Sequence, residues 1–204
     1  MGLTRIIEPV NPAITYDTAK AYLHLSSDSD QLYIEDMLIP AVTRLCEDQQ
    51  NRGYINQTYR LGAGDFRSLI KCDREFGDII PLKRSPVQSI SSISYVNRVG
   101  VTQVVDPRVY KSVLDFEPGF IRLNYGFYWP YDYALDYARV NIDFVVGYGP
   151  TFETVPRRIK LTMLQLIAHF YTNRQAVVVS TAGPAIAAKV PYTFNYLIDS
   201  DRVW

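Results

Sequence analysis

At 204 residues and 23.3 kDa, the chain is long enough for one good core or two small ones. Its composition, 48% hydrophobic and 21% charged, excludes general disorder, and 21 basic side chains balanced by 21 acidic ones exclude the basic surface that counterion-release binding to nucleic acid needs. No apolar run approaches the roughly 18 residues of a membrane span, and MGLTRIIEPV has no signal-peptide core, so a chain with neither span nor secretory leader is expected.

The first third reads as helical. ITYDTAKAYLHL (14–25) offers Thr15 or Asp17 as an N-cap, followed by Ala19, Tyr22 and Leu23 at helical spacing. SSDSD (26–30) is a turn, and a longer helix comes next, from about Asp30 to Gln50. Ile34, Met37, Leu38, Ala41, Val42 and Leu45 are expected to share its apolar face, with Glu35, Asp36, Thr43, Arg44 and Glu47 away from that face's centre. Pro40 removes one hydrogen bond inside it and crowds the carbonyl of Asp36, which predicts a kink.

The middle third changes period. YINQTYRL (54–61) and SLIKCDREFGDIIPL (68–82) lead into VQSISSISYV (87–96), whose β-branched content favours strand. VTQVV (101–105), RVYKSV (108–113), GFIRLNYG (119–126) and ARVNIDFVVGYG (138–149) are further strand candidates, with NRVG and EPG as turns between them. Val140, Ile142 and Phe144 face one way and Asn141 and Asp143 the other, the mark of a half-buried strand. Short strands separated by turns predict an antiparallel sandwich or barrel.

Helix returns at VPRRIKLTMLQLIAHFYTNRQAV (155–177), with Pro156 in its first turn and Thr154 as a cap candidate. Ile159, Met163, Leu166, Ile167 and Phe170 form one face, and Leu161, Leu164, Ala168 and Tyr171 continue it around the cylinder. Only Arg158, Thr162, Gln165 and His169 make a polar strip, which leaves an apolar arc of roughly 220°, where a surface helix needs little more than about 100°. Either a large core encloses this helix or its second face meets another chain. AVVVSTAGPAIAAK (176–189) is small, apolar and without helical punctuation, a loop or arm; VPYTFNYLIDSDRVW (190–204) starts a short helix at Pro191.

The search for chemistry is mostly negative, and no enzyme, cofactor or metal is expected. Neither His24 nor His169 has a Glu or His four residues away, so a helical metal pair is missing. Cys46 reads as a small core residue and Cys72 as inert; two cysteines make neither a disulfide framework nor a zinc site, which fits a reducing compartment. LGAGDF (61–66) lacks the Lys-Ser/Thr of a phosphate loop, and GYGP (147–150) is too short for a dinucleotide fingerprint. YGFYWPYDYALDY (125–137) places Asp132 and Asp136 beside many aromatics, as a sugar-binding module or hydrolase would. The simpler reading is a packed loop or an aromatic contact with a neighbour. The 16 tyrosines hint at interfaces, where Tyr is enriched.

The order of these features resembles the head–tail adaptor (connector) proteins of long-tailed bacteriophages and related prophage or gene-transfer particles. ITYDTAKAYLHLSSDSDQLYIEDMLIPAVTRLCED is similar to that family's opening helix pair. YINQTYRL, IPLKRSPVQSISSISYVNRVG, FIRLNYGFYWP and ARVNIDFVVGYG resemble its strand region, VPRRIKLTMLQLIAHFYTNRQAV its late helix and VPYTFNYLIDSDRVW its C-terminal element. Pro40 and the ending DSDRVW depart from the family's pattern.

The resemblance implies an α+β fold: N-terminal helices of an adaptor core (1–53), an antiparallel β region (54–150), a long core helix (151–175), and a loop with a portal-docking arm (176–204). It further implies a structural protein of the virion neck, made in the bacterial host cytoplasm. Copies form a homo-oligomeric ring of about twelve subunits under the portal protein. The ring extends the DNA channel, through which genomic DNA passes without sequence-specific binding, and offers a surface to the tail or to a stopper or completion protein. Leu161, Leu164, Ala168 and Tyr171 are then the candidate subunit interface, and Tyr192, Phe194, Tyr196, Leu197 and Trp204 the candidate portal-docking residues, on an arm that orders when it meets the portal. A fold-back of that arm onto its own subunit is the alternative. Another neck or tail component, such as a terminator or stopper, and a monomeric carbohydrate-binding module are the competing readings of the whole chain.

Overall fold

The computed structural model describes residues 2–131, 140–174, 199 and 201–203. The fold is α+β, in two compact units: Met1–Val10 with Asn51–Tyr148 and Val203–Trp204, and Asn11–Gln50 with Gly149–Arg202.

The first unit is built of β-strands. In chain order they are β1 (Gly2–Ile7), β2 (Gln57–Ala63), β3 (Lys71–Asp73), β4 (Gly77–Pro81), β5 (Val87–Val96), β6 (Thr102–Val104), β7 (Tyr110–Val113), β8 (Phe120–Leu123) and β9 (Val140–Val146). They form two antiparallel sheets, ordered β1-β2-β9-β5-β6 and β3-β4-β8-β7. Strict alternation in β9 buries Val140, Ile142, Phe144 and Val146. Those side chains join Tyr59, Leu61 and Ile93 of the same sheet and Ile80 and Ile121 of the other in one apolar core. The two sheets therefore close on each other as a sandwich, as the spacing of short strands predicts. On the opposite face of the central strands, Arg60 and Asp143 stand directly across from each other and pair through two hydrogen bonds of 2.7 and 2.8 Å.

After β9 the chain must turn within one residue, and Gly147 does it with φ of 143°. A Cβ there would lie 2.6 Å from the Asn56 nitrogen and 2.7 Å from the Ile55 carbonyl carbon, so the site demands glycine on two counts. GYGP is thus a turn, as its composition suggests. Residues 1–53 are not wholly helical, however. Gly2–Ile7 is β1, an edge strand paired with β2, and the expectation is corrected there. Its half-buried positions are Leu3 and Arg5, and Arg5 donates to the Gln57 side-chain oxygen at 3.0 Å.

The second unit is helical: α1 (Tyr16–Leu23), a π-helical segment (Tyr33–Leu38) running into α2 (Ile39–Gln50), and α3 (Arg157–Thr172). Thr15 caps α1, its hydroxyl accepting from the Thr18 N–H at 3.3 Å. His24 ends that helix in the left-handed conformation, and the Leu25 N–H reaches back to the Lys20 carbonyl. The kink expected at Pro40 takes a specific form. The chain widens by one residue before the proline, the Ile39 N–H bonding the Ile34 carbonyl, so that the pyrrolidine ring does not collide with the preceding turn.

Two expectations for this unit are corrected. Thr154 does not cap α3; its hydroxyl donates to the Thr151 carbonyl in a 3-10 turn (Phe152–Thr154), and Pro156 holds the cap position without a side-chain bond. The apolar residues of the second helix also do not share one buried face. Ile34, Leu38 and Val42 are buried, whereas Met37, Ala41 and Leu45 are exposed and Glu47 is enclosed. The extra residue of the π segment rotates α2 relative to the turn before it, which splits the arc that a uniform 3.6-residue period draws as one.

Candidate interaction surfaces

Helix α3 packs against α1, the π segment and α2. These neighbours enclose Ile159, Thr162, Met163, Leu164, Leu166 and Ile167. Thr162, expected on the polar strip, sits in this contact because its hydroxyl is satisfied by the Arg158 carbonyl at 3.0 Å. Much of the broad apolar arc is therefore covered within the unit. Of the four residues proposed as a subunit interface, Leu164 is buried, Ala168 and Tyr171 are half-buried, and Leu161 is 43% exposed.

Tyr171 already has a polar partner. Its hydroxyl donates to Asp30, which also accepts from Arg174 at 3.1 Å, and the Arg174 guanidinium lies over the rings of Tyr33 (4.8 Å) and Tyr171 (5.0 Å). The hydrogen bond from Tyr171 holds the Asp30 carboxyl below the usual carboxylate range, and the same bond raises the phenol. This clamp ties the end of α3 to the start of the second helix.

The unit's outer surface carries an exposed stripe that sequence periodicity assigns to the interior: Met37 (62% exposed), Ala41 and Leu45 (37%), four residues apart on successive turns. Their spacing is visible in the sequence; the side they face is not.

In the β unit, the aromatic loop after β8 divides its work. Trp129 stacks on Phe66 with centroids 4.7 Å apart, and Asn124 ties the loop's base to the Arg108 carbonyl at 2.9 Å. Tyr125, Tyr128 and Tyr131 stand out from that base, each at least 83% exposed. The packed-loop and aromatic-contact readings thus apply to different residues of it. Asp132 and Asp136, on which a sugar-cleaving reading depends, lie outside the described residues.

Tyr192, Phe194, Tyr196, Leu197 and Trp204 also lie outside the described residues. The described end of the chain is held by its own subunit: Asn51 donates from its side-chain amide to the Val203 carbonyl at 2.9 Å, Val203 is buried, and Asp201 pairs with Arg158 at 3.5 Å. At Asp201 and Val203 the fold-back alternative holds, and an arm loose through residue 203 is corrected to that extent.

Among the described residues, reactive chemistry is not assembled. Among the described residues no group of three His, Cys, Asp or Glu could hold a metal ion, and no helix is long and apolar enough to cross a membrane. Cys46 is buried in the helical unit, and burial, with Glu47 beside it, pushes its thiol up to about 12, away from any nucleophile's range. Cys72 is exposed on β3. His169 has the Asn173 side chain at 3.4 Å and stands beside Phe170, with no acid or nucleophile paired to it among the described residues.

No family model and no curated protein matches the chain. Solved structures do. A chain from the neck of an empty gene transfer agent (GTA) particle, computed with C6 symmetry, aligns over 100% of this chain and 96% of its own, at 21% identity and a TM-score of 0.74. The chain shares the fold of that neck chain. A chain from the virion of a native GTA particle matches with the same coverage at 22% identity and TM-score 0.74, and one from the neck of a native particle computed with C12 symmetry at 20% and 0.69. Coverage of this extent means that the β unit, the helical unit and their order along the chain recur together in those proteins.

Proposed function

We propose that this chain is a structural, non-enzymatic subunit of the neck of a phage or gene-transfer particle, and within the neck a head–tail adaptor. Copies form a ring beneath the portal, on the order of twelve subunits, which extends the DNA channel and gives the tail or a stopper its attachment surface. The observation that carries this reading is the end-to-end likeness to chains of GTA necks computed with C6 and C12 symmetry. Two further features support it. The balanced charge of the chain suits a conduit through which DNA must slide, since a strongly basic wall would hold what it has to release. The exposed apolar surface left on the helical unit suits a subunit that completes its burial against a neighbour.

In this reading Leu161, Leu164, Ala168 and Tyr171 belong to the helix that lies at the subunit boundary, with Leu161 supplying the contact. Tyr192, Phe194, Tyr196, Leu197 and Trp204 anchor the chain to the portal. Particle imaging tests both. Particles made with the full chain should show it as a ring between portal and tail. Those made with residues 190–204 deleted should show portals without the ring and heads without tails. Density for the chain elsewhere in the particle would refute the neck reading, and a normal ring from the truncated chain would refute portal docking by the arm.

A further inference from the structure

We infer that the Met37–Ala41–Leu45 stripe of one subunit docks against the Leu161 face of α3 on the next copy of this chain. The inference rests on the ring reading above and names the two surfaces that would join in it. Their placement is the first reason. Thr43 of α2 meets Met163 of α3, its hydroxyl 3.9 Å from the sulfur, which marks the inner sides of both helices. At about 100° per residue, Ala41 and Leu45 each lie about 160° around α2 from Thr43, and Leu161 lies about 160° around α3 from Met163. The exposed apolar surfaces are thus on opposite outer sides of one helix pair. Two unlike patches on opposite sides are what a head-to-tail contact requires; a two-fold contact would use one patch twice.

Charge is the second reason. Around the stripe stand exposed Glu35 and Asp36, while Asp48, on the turn beyond Leu45, is paired with exposed Arg44 at 3.0 Å. Around Leu161 stand Arg157 and Lys160, with Arg158 already paired to Asp201 at 3.5 Å. The first turn of α3 contains no acid at all, although a helix N-terminus favours acidic side chains and disfavours basic ones. Helix stability does not account for that basic cluster. The charges left over on the two faces are opposite, Glu35 and Asp36 on one and Arg157 and Lys160 on the other, so the apolar stripe meets Leu161 with acids opposite bases.

Disulfide trapping tests this. Exposed Cys72 is removed by Cys72→Ser, and buried Cys46 stays unreactive. Met37→Cys and Leu161→Cys alter exposed side chains, and within one subunit they lie on opposite sides of the helix pair, out of disulfide reach of each other. Under mild oxidation, at high concentration and in assembled particles, the double variant should give a ladder of multimers. A mixture of the two single variants should give at least several-fold more dimer than either alone. Dimers from Met37→Cys alone at the yield of the mixture would show a two-fold contact and overturn the inference, as would the absence of a ladder in both settings. The two readings fail separately. A ladder from a chain that imaging places outside the neck removes the neck assignment and keeps the contact. A chain seated in the neck ring that gives no ladder removes the contact and keeps the neck assignment.

Discussion

The two units solve the problem of burial differently. The β unit closes its apolar surface on itself: alternate residues of β2, β5 and β9 point inward, the second sheet covers them, and the large exposed apolar side chains lie mostly at its edges and loop tips, such as Val99, Val101 and Tyr128. Among the described residues the helical unit has three helices to cover one another, and its outer sides leave Met37, Leu45 and Leu161 partly in water. At the end of α3 a polar clamp, Asp30 with Tyr171 and Arg174, joins that helix to the start of the second one. A sandwich can be complete in one copy of a chain. A thin helical layer leaves a side over, and that side is where a neighbour is expected.

The largest effect that would test this contrast comes from emptying the sandwich. Phe144 is fully buried against Tyr59, with ring centroids 6.4 Å apart, so Phe144→Ala should cost about 3–5 kcal/mol in chemical denaturation. Met37→Ala, on the outer stripe, should stay within about 0.5 kcal/mol in the same measurement, because that side chain is 62% exposed and loses little burial within the subunit. Equal losses would mean that the stripe is part of the subunit's own core, and the contrast between the units would fall.

A smaller but still large loss is expected at the turn that ends β9. Gly147→Ala adds a methyl group where backbone atoms of Ile55 and Asn56 already stand within 2.8 Å, at a φ of 143° that side chains resist. Strain of this kind costs on the order of 1–3 kcal/mol. Gly77→Ala, also at positive φ but with open space around its Cβ, separates the two causes: it should cost less, by the share that the collision contributes. If both variants lose the same, backbone conformation alone accounts for the turn.

The same contrast governs how much of the fold is legible in the sequence. The inward face of β9, the Thr15 cap, the positions of α1 and α3 and the turn at GYGP are local patterns, and each arises from residues a few positions apart. β1 is not legible, because one of its two inward positions is Arg5, whose guanidinium donates to Gln57 fifty-two residues away and pairs with Glu8. A charged residue on the inner face breaks the alternation by which strands are read. The stripe of Met37, Ala41 and Leu45 is visible as an apolar period, yet periodicity assigns it to the wrong side. A period shows that an arc is apolar, not whether its own chain covers it, and the π turn before Pro40 moves the boundary further. The Asp30 clamp joins residues 141 and 144 positions apart and has no local signature at all.

That clamp makes the smallest of the expected effects and the one that separates the units by pH. The Tyr171 hydrogen bond, and then Arg174, keep the Asp30 carboxyl below the value it has in the unfolded chain. A carboxyl depressed by folding stabilises the fold fully above its unfolded value, about 3.9, and that contribution disappears as pH falls through the lower, folded value. Asp30→Asn should therefore lower the Tm of the helical unit slightly at pH 7, and the difference should shrink as pH falls below the unfolded value. Tyr171→Phe should take the same course, since it removes the main cause of the depression. Because Asp30 is at the surface, salt should shrink the Arg174 part of the effect and leave the Tyr171 part in place. A Tm difference that stays constant from pH 7 to pH 2 would show that Asp30 acts through packing or capping. The end of α3 would then owe its position to apolar contact after all, and the helical unit would resemble the sandwich more closely than its exposed stripe suggests.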